Sequence, residues 1–517
     1  MTPFLIQHFL EKHAQATPEQ LACIHDHEVV TYEEMERQAN RIAHLLQELG
    51  VRRGDRVAVL IENSSAYVAA YYGILKCGGV TVAMYATTTA KTLSYILNDC
   101  EVGVALTLSK HQALFHELHG QLPKLRAVVW LDSMINENEI DRRAWKAFTS
   151  QQIAQQPDTP LDLPLIDLNL ASIIYTSGST GEPRGAMLSH LNIVTNTRSI
   201  VSYLGLTAQD RIMVVLPFPY VYGKSLLNTH FAVGATVIID NRFVFPNVVL
   251  KTMQEKAATG FAGVPSTYAI LLGKSAVRKM EFPALRYLTQ AGGAMAPALT
   301  REVMEVFSDK KVFIMYGATE ASARLSYLPP EDLPAKVGSI GKPIPNVELR
   351  LIKEDGNEAG PDEAGEIVAR GANIMQGYWK QPGETNAVLT EQGFHTGDLG
   401  RKDEDGFFYV VGRKRDMIKS AGNRVSAKEI EEIILEHPSI LETAVIGIPD
   451  QYIGEAICAF IVPKNGVLVM PEELIAFCKT RLPEYKTPRA VIVRESLPKN
   501  AAGKIMKEKL RQEQKSD

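Results

Sequence analysis

Cysteine is scarce and scattered. Cys23, Cys77, Cys100, Cys458 and Cys478 stand in a chain of 517 residues with no C-x-x-C pair and an odd total, so neither a disulfide framework nor a zinc site is indicated, and a reducing compartment fits. Long apolar runs are missing too. No stretch approaches the roughly 18 consecutive apolar residues of a spanning helix, and residues 1 to 20 contain no cationic head followed by an apolar core, as a secretory leader would. Charge of neither sign is in excess: Lys+Arg 55 against Asp+Glu 59 leaves a formal -4, which offers no basic surface for nucleic acid or an anionic membrane. Internal repeats and low-complexity tracts are absent. The expectation is a cytoplasmic protein with no nucleic-acid partner and no integral membrane association, acting on a small molecule. The chain exceeds the size of one compact core, and its 45% apolar residues supply cores for at least two domains.

Helical and strand periodicities alternate through the first two thirds. TYEEMERQANRIAHLLQELG begins with a capping box, Thr31 with Glu34, places Met35, Ala39, Ile42, Leu46 and Leu49 on one face and stops at Gly50, as an amphipathic helix does. The β-branched runs RVAVLI, VGVAL, AVVWL, IMVVL, TVIID and VFIMY follow with helix-length segments between most of them, which predicts a layered α/β fold. Residues 149–167, rich in Gln, Pro and Asp, read as an exposed connection at which a domain could divide, although the same pattern resumes beyond. From about 338 to 412 the texture becomes Gly-punctuated short strands, with DEDG as a hairpin signal, and a β-rich subdomain is expected. Residues 413–517 read as a small α+β domain. They offer Ser426 with Glu429 as a second capping box before EIEEIILEH, then strands TAVIGI and AICAFIV, helix PEELIAFCKTRL and strand AVIVRE.

The stretch YTSGSTGEPRGAMLSH, residues 175–190, lies between the apolar run ASIIY and the helix-like LNIVTNTRSIVSYLG. Read as a strand-to-helix turn, it makes an anion site, because free backbone N–H groups and the helix dipole point to one place, and phosphate is the expected anion. Taken alone, it reads equally as a polar turn. The spelling excludes both G-x-x-x-x-G-K-[ST] and G-x-G-x-x-G, and with the former goes a P-loop ATPase.

The string resembles the phosphate-binding motif of the adenylate-forming superfamily, which comprises acyl-CoA synthetases, aryl-CoA ligases, luciferases and the adenylation domains of peptide synthetases. LPFPYVYG at 216–223, QAGGAMAP at 290–297, YGATEAS at 316–322, TGDLG at 396–400, GRKRDMIKSAGNRVSAKEIE at 412–431 and LPKNAAGKIMK at 497–507 match further motifs in the family's order. The resemblance covers nearly the whole chain. It implies an N-terminal AMP-binding domain, 1–412, and a mobile C-terminal domain, 413–517. It also implies a two-step reaction: a carboxylate attacks the α-phosphate of ATP, giving acyl-AMP and pyrophosphate, and a thiol then takes the acyl group.

By this resemblance Thr176, Ser177, Gly178, Ser179, Thr180, Gly181 and Arg184 contact the β- and γ-phosphates; Arg184 stands where relatives commonly have lysine, keeping the charge and adding a planar fork. Glu320 is the magnesium ligand and Thr319 touches the α-phosphate, although a Thr-Glu pair alone reads as a helix N-cap. Tyr316 packs against adenine beside Gly292, Gly293 and Ala294; Asp398 accepts from the ribose hydroxyls, with Arg413 assisting. Lys504 bridges the substrate carboxylate and the α-phosphate, where AAGKIMK alone reads as a solvated helix start. Arg415 occupies the hinge, where relatives often show Asp or Lys, and Gly422 lines the pantetheine tunnel after the C-terminal domain turns. Lys504, Glu320 and Asp398 are all present, against a decayed nucleotide-binding regulator.

The acyl group is read from the fourth motif. PFPYVYGKS lacks the aspartate with which amino-acid-activating relatives pair the α-ammonium, and FAGVPSTYAILL with VYGKSLL offers apolar surface. Tyr220, Tyr222, Val264 and Thr267 are therefore the candidate acyl pocket, and a fatty or aryl acid the expected substrate. Arg324 meets a second carboxylate on a dicarboxylic substrate or serves as a structural or rim partner. The short link between VGSIGKPIPNVELRLI and GEIVARG leaves no room for the insertion of ligases restricted to fatty acyl-adenylates, so thioester formation is expected. Coenzyme A or the phosphopantetheine of a carrier protein serves as acceptor; the alternative is a stand-alone enzyme loading an amino, hydroxy or other acid onto that carrier.

Overall fold

The computed structural model describes residues 3–132, 145–177, 183–420, 422–450, 452–464, 467–500 and 503–514. Two large sheets form the body. The first has eight strands, in the order Gly377–Tyr378, Pro183–Ser189, Leu170–Ser177, Val80–Met84, Arg56–Leu60, Val104–Thr107, Ala127–Trp130 and Lys146–Phe148. The second has nine, centred on the parallel strands Thr236–Ile239, Arg211–Val214, Gly260–Gly263, Tyr287–Gln290 and Lys311–Tyr316. Every β-branched run singled out in the sequence is one of these strands. Helices Ser65–Lys76 and Val221–Val233 lie between the sheets, so nearly all of their residues are buried and one apolar core joins both layers.

The first amphipathic helix runs Tyr32–Glu48 with the capping box in place, Thr31 accepting from Glu34 N while the Glu34 carboxylate accepts from Thr31 N. The connection at 149–167 carries one short helix, Ser150–Ala154, and then crosses the Tyr32–Glu48 helix, whose Asn40 and His44 bond the carbonyls of Asp158 and Thr159. Strands on both sides of it, Ala127–Trp130 and Leu170–Ser177, belong to the same sheet, so the chain does not divide there. The β-rich stretch folds as expected into a five-stranded antiparallel sheet, with DEDG turning the hairpin between Gly393–Lys402 and Phe408–Arg413. A further sheet, built from Met417 onward, has its own core of Ile418, Ile430, Ile434, Val445 and Ile461 among others.

Two local expectations are corrected. The glycine-rich motif joins two antiparallel strands, Leu170–Ser177 and Pro183–Ser189, paired in register with Thr176 opposite Arg184. The helix His190–Leu204 begins a full strand later, capped by Ser189. The motif therefore joins two antiparallel strands, and the following helix starts at the far end of the second, so its dipole is not the one the motif was expected to use; tertiary pairing within the sheet, not local propensity, makes Pro183–Ser189 a strand. Ser426 does stand before its helix, Ala427–Leu435, but makes no cap. Its hydroxyl donates to Val411 O at 2.6 Å, and Glu429 is drawn to Lys486 at 2.7 Å, both stronger partners than the local box.

Between Tyr316 and Leu325 the chain folds tightly back on itself: Thr319–Ala321 is a single 3-10 turn, and Ser322 and Ala323 take φ of 55° and 110°. Left-handed backbone at two consecutive non-glycine residues is strain that surrounding bonds must hold. Asn373 does so, donating to Ala321 O and Arg324 O, while Ser322 Oγ donates to Asn373 O. Gly317 closes the fold because any Cβ there overlaps the Ala323 carbonyl. Gly317→Ala is expected to destabilise the N-terminal unit by about 1–3 kcal/mol, the usual range for overpacking, read as a lowered denaturation midpoint; an unchanged midpoint would show the turn to be loosely held.

Candidate active site

Asp398 is the centre of the site. It lies opposite Arg413 on the neighbouring antiparallel strand, and Arg413 Nε donates to its Oδ1 at 2.6 Å. Tyr316, the last residue of Lys311–Tyr316, donates its hydroxyl to Oδ2 at 2.6 Å. Asp398 is only 4% exposed, so both bonds are shielded from water; each carboxylate oxygen has a second lone pair for a ligand hydroxyl. Burial first, then the Asp398 charge, pushes the Tyr316 phenol well above its ordinary range, so it remains a donor.

Lys504 belongs to the C-terminal sheet's surroundings but sits at this centre. Its turn is closed by Asn500, which donates to Lys504 O and accepts from Gly503 N, each at 2.9 Å, and Asn500 Oδ1 accepts from Lys504 N at 2.9 Å. Ser266 Oγ, at the start of helix Pro265–Lys274, donates to Gly503 O at 3.1 Å and holds the turn against the large domain. A cavity of about 490 Å³ opens here, with Val264, Gly292, Gly293, Ala294 and Lys504 on its walls. Lys504 is exposed to this cavity and yet crowded by protein charge: the Arg413 cation, then loss of hydration, lower its ammonium to about 8, partly offset by Asp398. The reading of AAGKIMK as a solvated helix start is thereby corrected; the helix begins only at Lys507.

Glu320 and Arg184 meet through a residue the sequence did not single out. Tyr378 donates its hydroxyl to Glu320 Oε1 at 2.7 Å, and the Arg184 guanidinium lies 5.5 Å from the centre of the same ring. Arg184 is also paired with Glu384 at 2.5 Å. Thr319 and Glu320 occupy the 3-10 turn rather than the start of a helix, so the N-cap reading is corrected. Glu320, with one oxygen spoken for, is half-buried beside the phosphate-loop strand, a donor set that fits a magnesium shared with substrate phosphates. Thr176 and Ser177 end the strand Leu170–Ser177; Gly178, Ser179, Thr180 and Gly181 lie outside the described residues.

The proposed acyl-pocket residues divide into two pairs. Tyr220 and Val264 both stand where a Cβ on Gly292 would reach, next to the cavity. Tyr222 and Thr267 are spent inside: the Tyr222 hydroxyl bonds Thr289, and Thr267 Oγ1 accepts from Val264 N at 3.3 Å. Lys224, one helical turn beyond Tyr220, is 4% exposed and donates to the Tyr67 hydroxyl at 2.5 Å over the rings of Tyr67 and Tyr71. A lysine in a helix with no acidic residue, VYGKSLLNTHFAV, was the available signal for it. Arg415 lies in the turn Lys414–Asp416 between the two sheets, and Gly422 is exposed at the tip of the hairpin Met417–Ser420/Asn423–Ser426, with φ 77° and nothing within 4 Å of a Cβ. Among the described residues no helix is long and apolar enough to cross a membrane.

The model of the AMP-binding enzyme family matches residues 10–379, and that of the AMP-binding enzyme C-terminal domain matches 429–504. The chain belongs to the AMP-binding enzyme family. A long-chain-fatty-acid–CoA ligase of Bacillus subtilis (strain 168) is 32% identical over 98% of this chain and 94% of its own. Among solved structures, an anthranilate CoA ligase in complex with anthranoyl-AMP superposes with a TM-score of 0.91 at 27% identity, covering 99% of this chain and 98% of that one. The o-succinylbenzoate coenzyme A synthetase of Bacillus subtilis, in complex with ATP and magnesium ion, gives 0.82 at 29%, covering 98% and 99%. Like them, the chain is an AMP-forming acid–thiol ligase of α/β architecture with a large N-terminal and a smaller C-terminal domain.

The low Lys504 ammonium has a consequence for pH. The cationic form is present below its titration and lost above it, so kcat/KM for the adenylation step, which reports the free enzyme, is expected to fall on the alkaline side with a midpoint near 8. Lys504→Ala should lack that limb, and a wild-type profile flat from pH 7 to well above 9 would remove Lys504 from the step.

Proposed function

We propose that the chain activates a fatty or aryl carboxylic acid with ATP and passes the acyl group to coenzyme A. The observation that carries this is an Asp398 held by Arg413 and Tyr316, with Lys504 on the cavity wall beside Gly292, Gly293 and Ala294 and near enough to feel the charges of Arg413 and Asp398. Two anions, the acid and the α-phosphate, must meet there, and a fixed cation facing the cavity lowers that barrier without reorganising. Lys504 contacts both; Asp398, held by Arg413 and Tyr316, orients the ribose; Gly292, Gly293 and Ala294 leave a flat wall for adenine. Thr319 touches the α-phosphate, and Arg184 with the loop 176–181 takes the β- and γ-phosphates. Magnesium, held by Glu320 and the phosphates, supplies charge neutralisation for the leaving pyrophosphate.

The acid is assigned from the pocket wall. Where an α-ammonium would need a carboxylate, the fourth motif supplies Tyr220, Tyr222 and the buried Lys224, and an unpaired ammonium there costs several kcal/mol in lost hydration. Coenzyme A is favoured over a carrier protein because the relatives are named for it. Five buried free cysteines suit a cytoplasmic, reducing setting. The chain divides at 412/413, and Arg415 in the connecting turn is the pivot for the second step.

Lys504→Ala tests the division of labour. It is expected to slow acid-dependent ATP–pyrophosphate exchange by roughly 100-fold or more while sparing much of thioester formation from ready-made acyl-AMP; equal loss in both steps would refute it. For the thiol path, Gly422→Leu should keep pyrophosphate exchange and make thioester far more slowly than Gly422→Ala, which shares the left-handed backbone strain but not the bulk. Equal thioester rates in the two variants would take the loop off that path.

A further inference from the structure

A second buried cation near the acyl pocket has no acid to balance it. Arg324 follows the strained turn and is 2% exposed. Its Nη1 donates to the carbonyl of its own neighbour Ala323, its guanidinium carbon lies 4.6 Å from the centre of the Tyr222 ring, and its Nε is buried with no hydrogen-bond partner. No carboxylate among the described residues forms an ion pair with it, whereas the buried Lys76 holds both Glu11 and Glu36.

Lys224, on the preceding wall, is a useful contrast. Burial drives its ammonium well below the ordinary range, so it can rest as a neutral amine against Tyr67. A guanidinium cannot shed its proton, so Arg324 stays charged. Its field is felt across the pocket side: burial raises the phenols of Tyr203, Tyr220 and Tyr222, and Arg324 pulls each back. Tyr220 in turn reaches the position a Cβ on Gly292 would take, and Gly292 walls the cavity that holds Lys504. The Tyr220 and Tyr222 rings are 6.3 Å apart, so Arg324 is one aromatic pair removed from the glycine wall.

We infer that Arg324 receives a second carboxylate at the far end of the acid, through the free Nε edge of its guanidinium, so that the preferred substrate is a dicarboxylic acid of which Lys504 serves one end and Arg324 the other. This rests on the acid-activating reading above and narrows it. An oxyanion there would satisfy the orphaned Nε–H and neutralise a charge that cannot titrate away; a planar carboxylate matches the fork. Asn196 and Asn373 both donate to Arg324 O and fix the backbone from which the side chain projects.

The test is ATP–pyrophosphate exchange by the full-length enzyme with length-matched monocarboxylic and dicarboxylic acids, aliphatic and aryl. Wild-type kcat/KM should favour the diacid by about 10- to 100-fold, the span of one charged hydrogen-bonded contact. Arg324→Met should erase that preference by lowering diacid kcat/KM selectively, and Arg324→Lys should retain part of it. A wild-type preference for monoacids, or equal loss of both acid classes in Arg324→Met, overturns the assignment while leaving acid activation standing. No exchange with any acid would overturn acid activation and this inference together. The wild-type comparison needs no variant, so a misfolded Arg324→Met does not shelter the idea.

Discussion

The site depends on an excess of positive charge gathered around one buried carboxylate. Arg413 neutralises Asp398, and Tyr316 stiffens it, yet Lys504 and Arg415 are added to the same neighbourhood with only Asp416 in return. Cations so placed repel one another, and the lowered Lys504 ammonium is the mark of it. The arrangement becomes favourable when a polyanion enters, and ATP with a carboxylate is such a ligand. Preorganised charge of this kind costs stability in the empty protein and returns it as stabilisation of the transition state.

That cluster can exist only while the C-terminal part is docked. The bond from Ser266 to Gly503 and the cavity shared by Val264, Gly292 and Lys504 hold the lysine in, while the hairpin bearing Gly422 faces away and is tied outside by Arg424 to Glu354. This placement matches the role we propose for Lys504 in adenylation. Few strong bonds hold it: the Ser266 contact is neutral and the Arg424 pair is largely exposed, each worth little on its own.

Much of this was legible from the amino acids. Strand positions followed from β-branched runs because both sheets are covered by helices, and the site residues followed from motifs whose order the chain preserves. What escaped was set by long-range competition. The Ser426 hydroxyl had a local partner in the sequence but a better one, Val411 O, in space. The glycine-rich motif resembled a strand-to-helix turn because a helix does follow, but one strand later than local pattern could reveal. Tyr378, nearly sixty residues after Glu320, carries no motif; only the edge pairing of Gly377–Tyr378 with Pro183–Ser189 brings it between Glu320 and Arg184.

The same pairing joins the residues we propose for phosphate and for magnesium into one structural unit. The strand that carries Arg184 also receives Tyr378, so the arginine and the ligand carboxylate share a ring between them. Glu384, on the helix just beyond, also pairs with Arg184. The neutral Tyr378 phenol thus bonds the carboxylate and faces the guanidinium, the two opposite charges that we propose for the nucleotide.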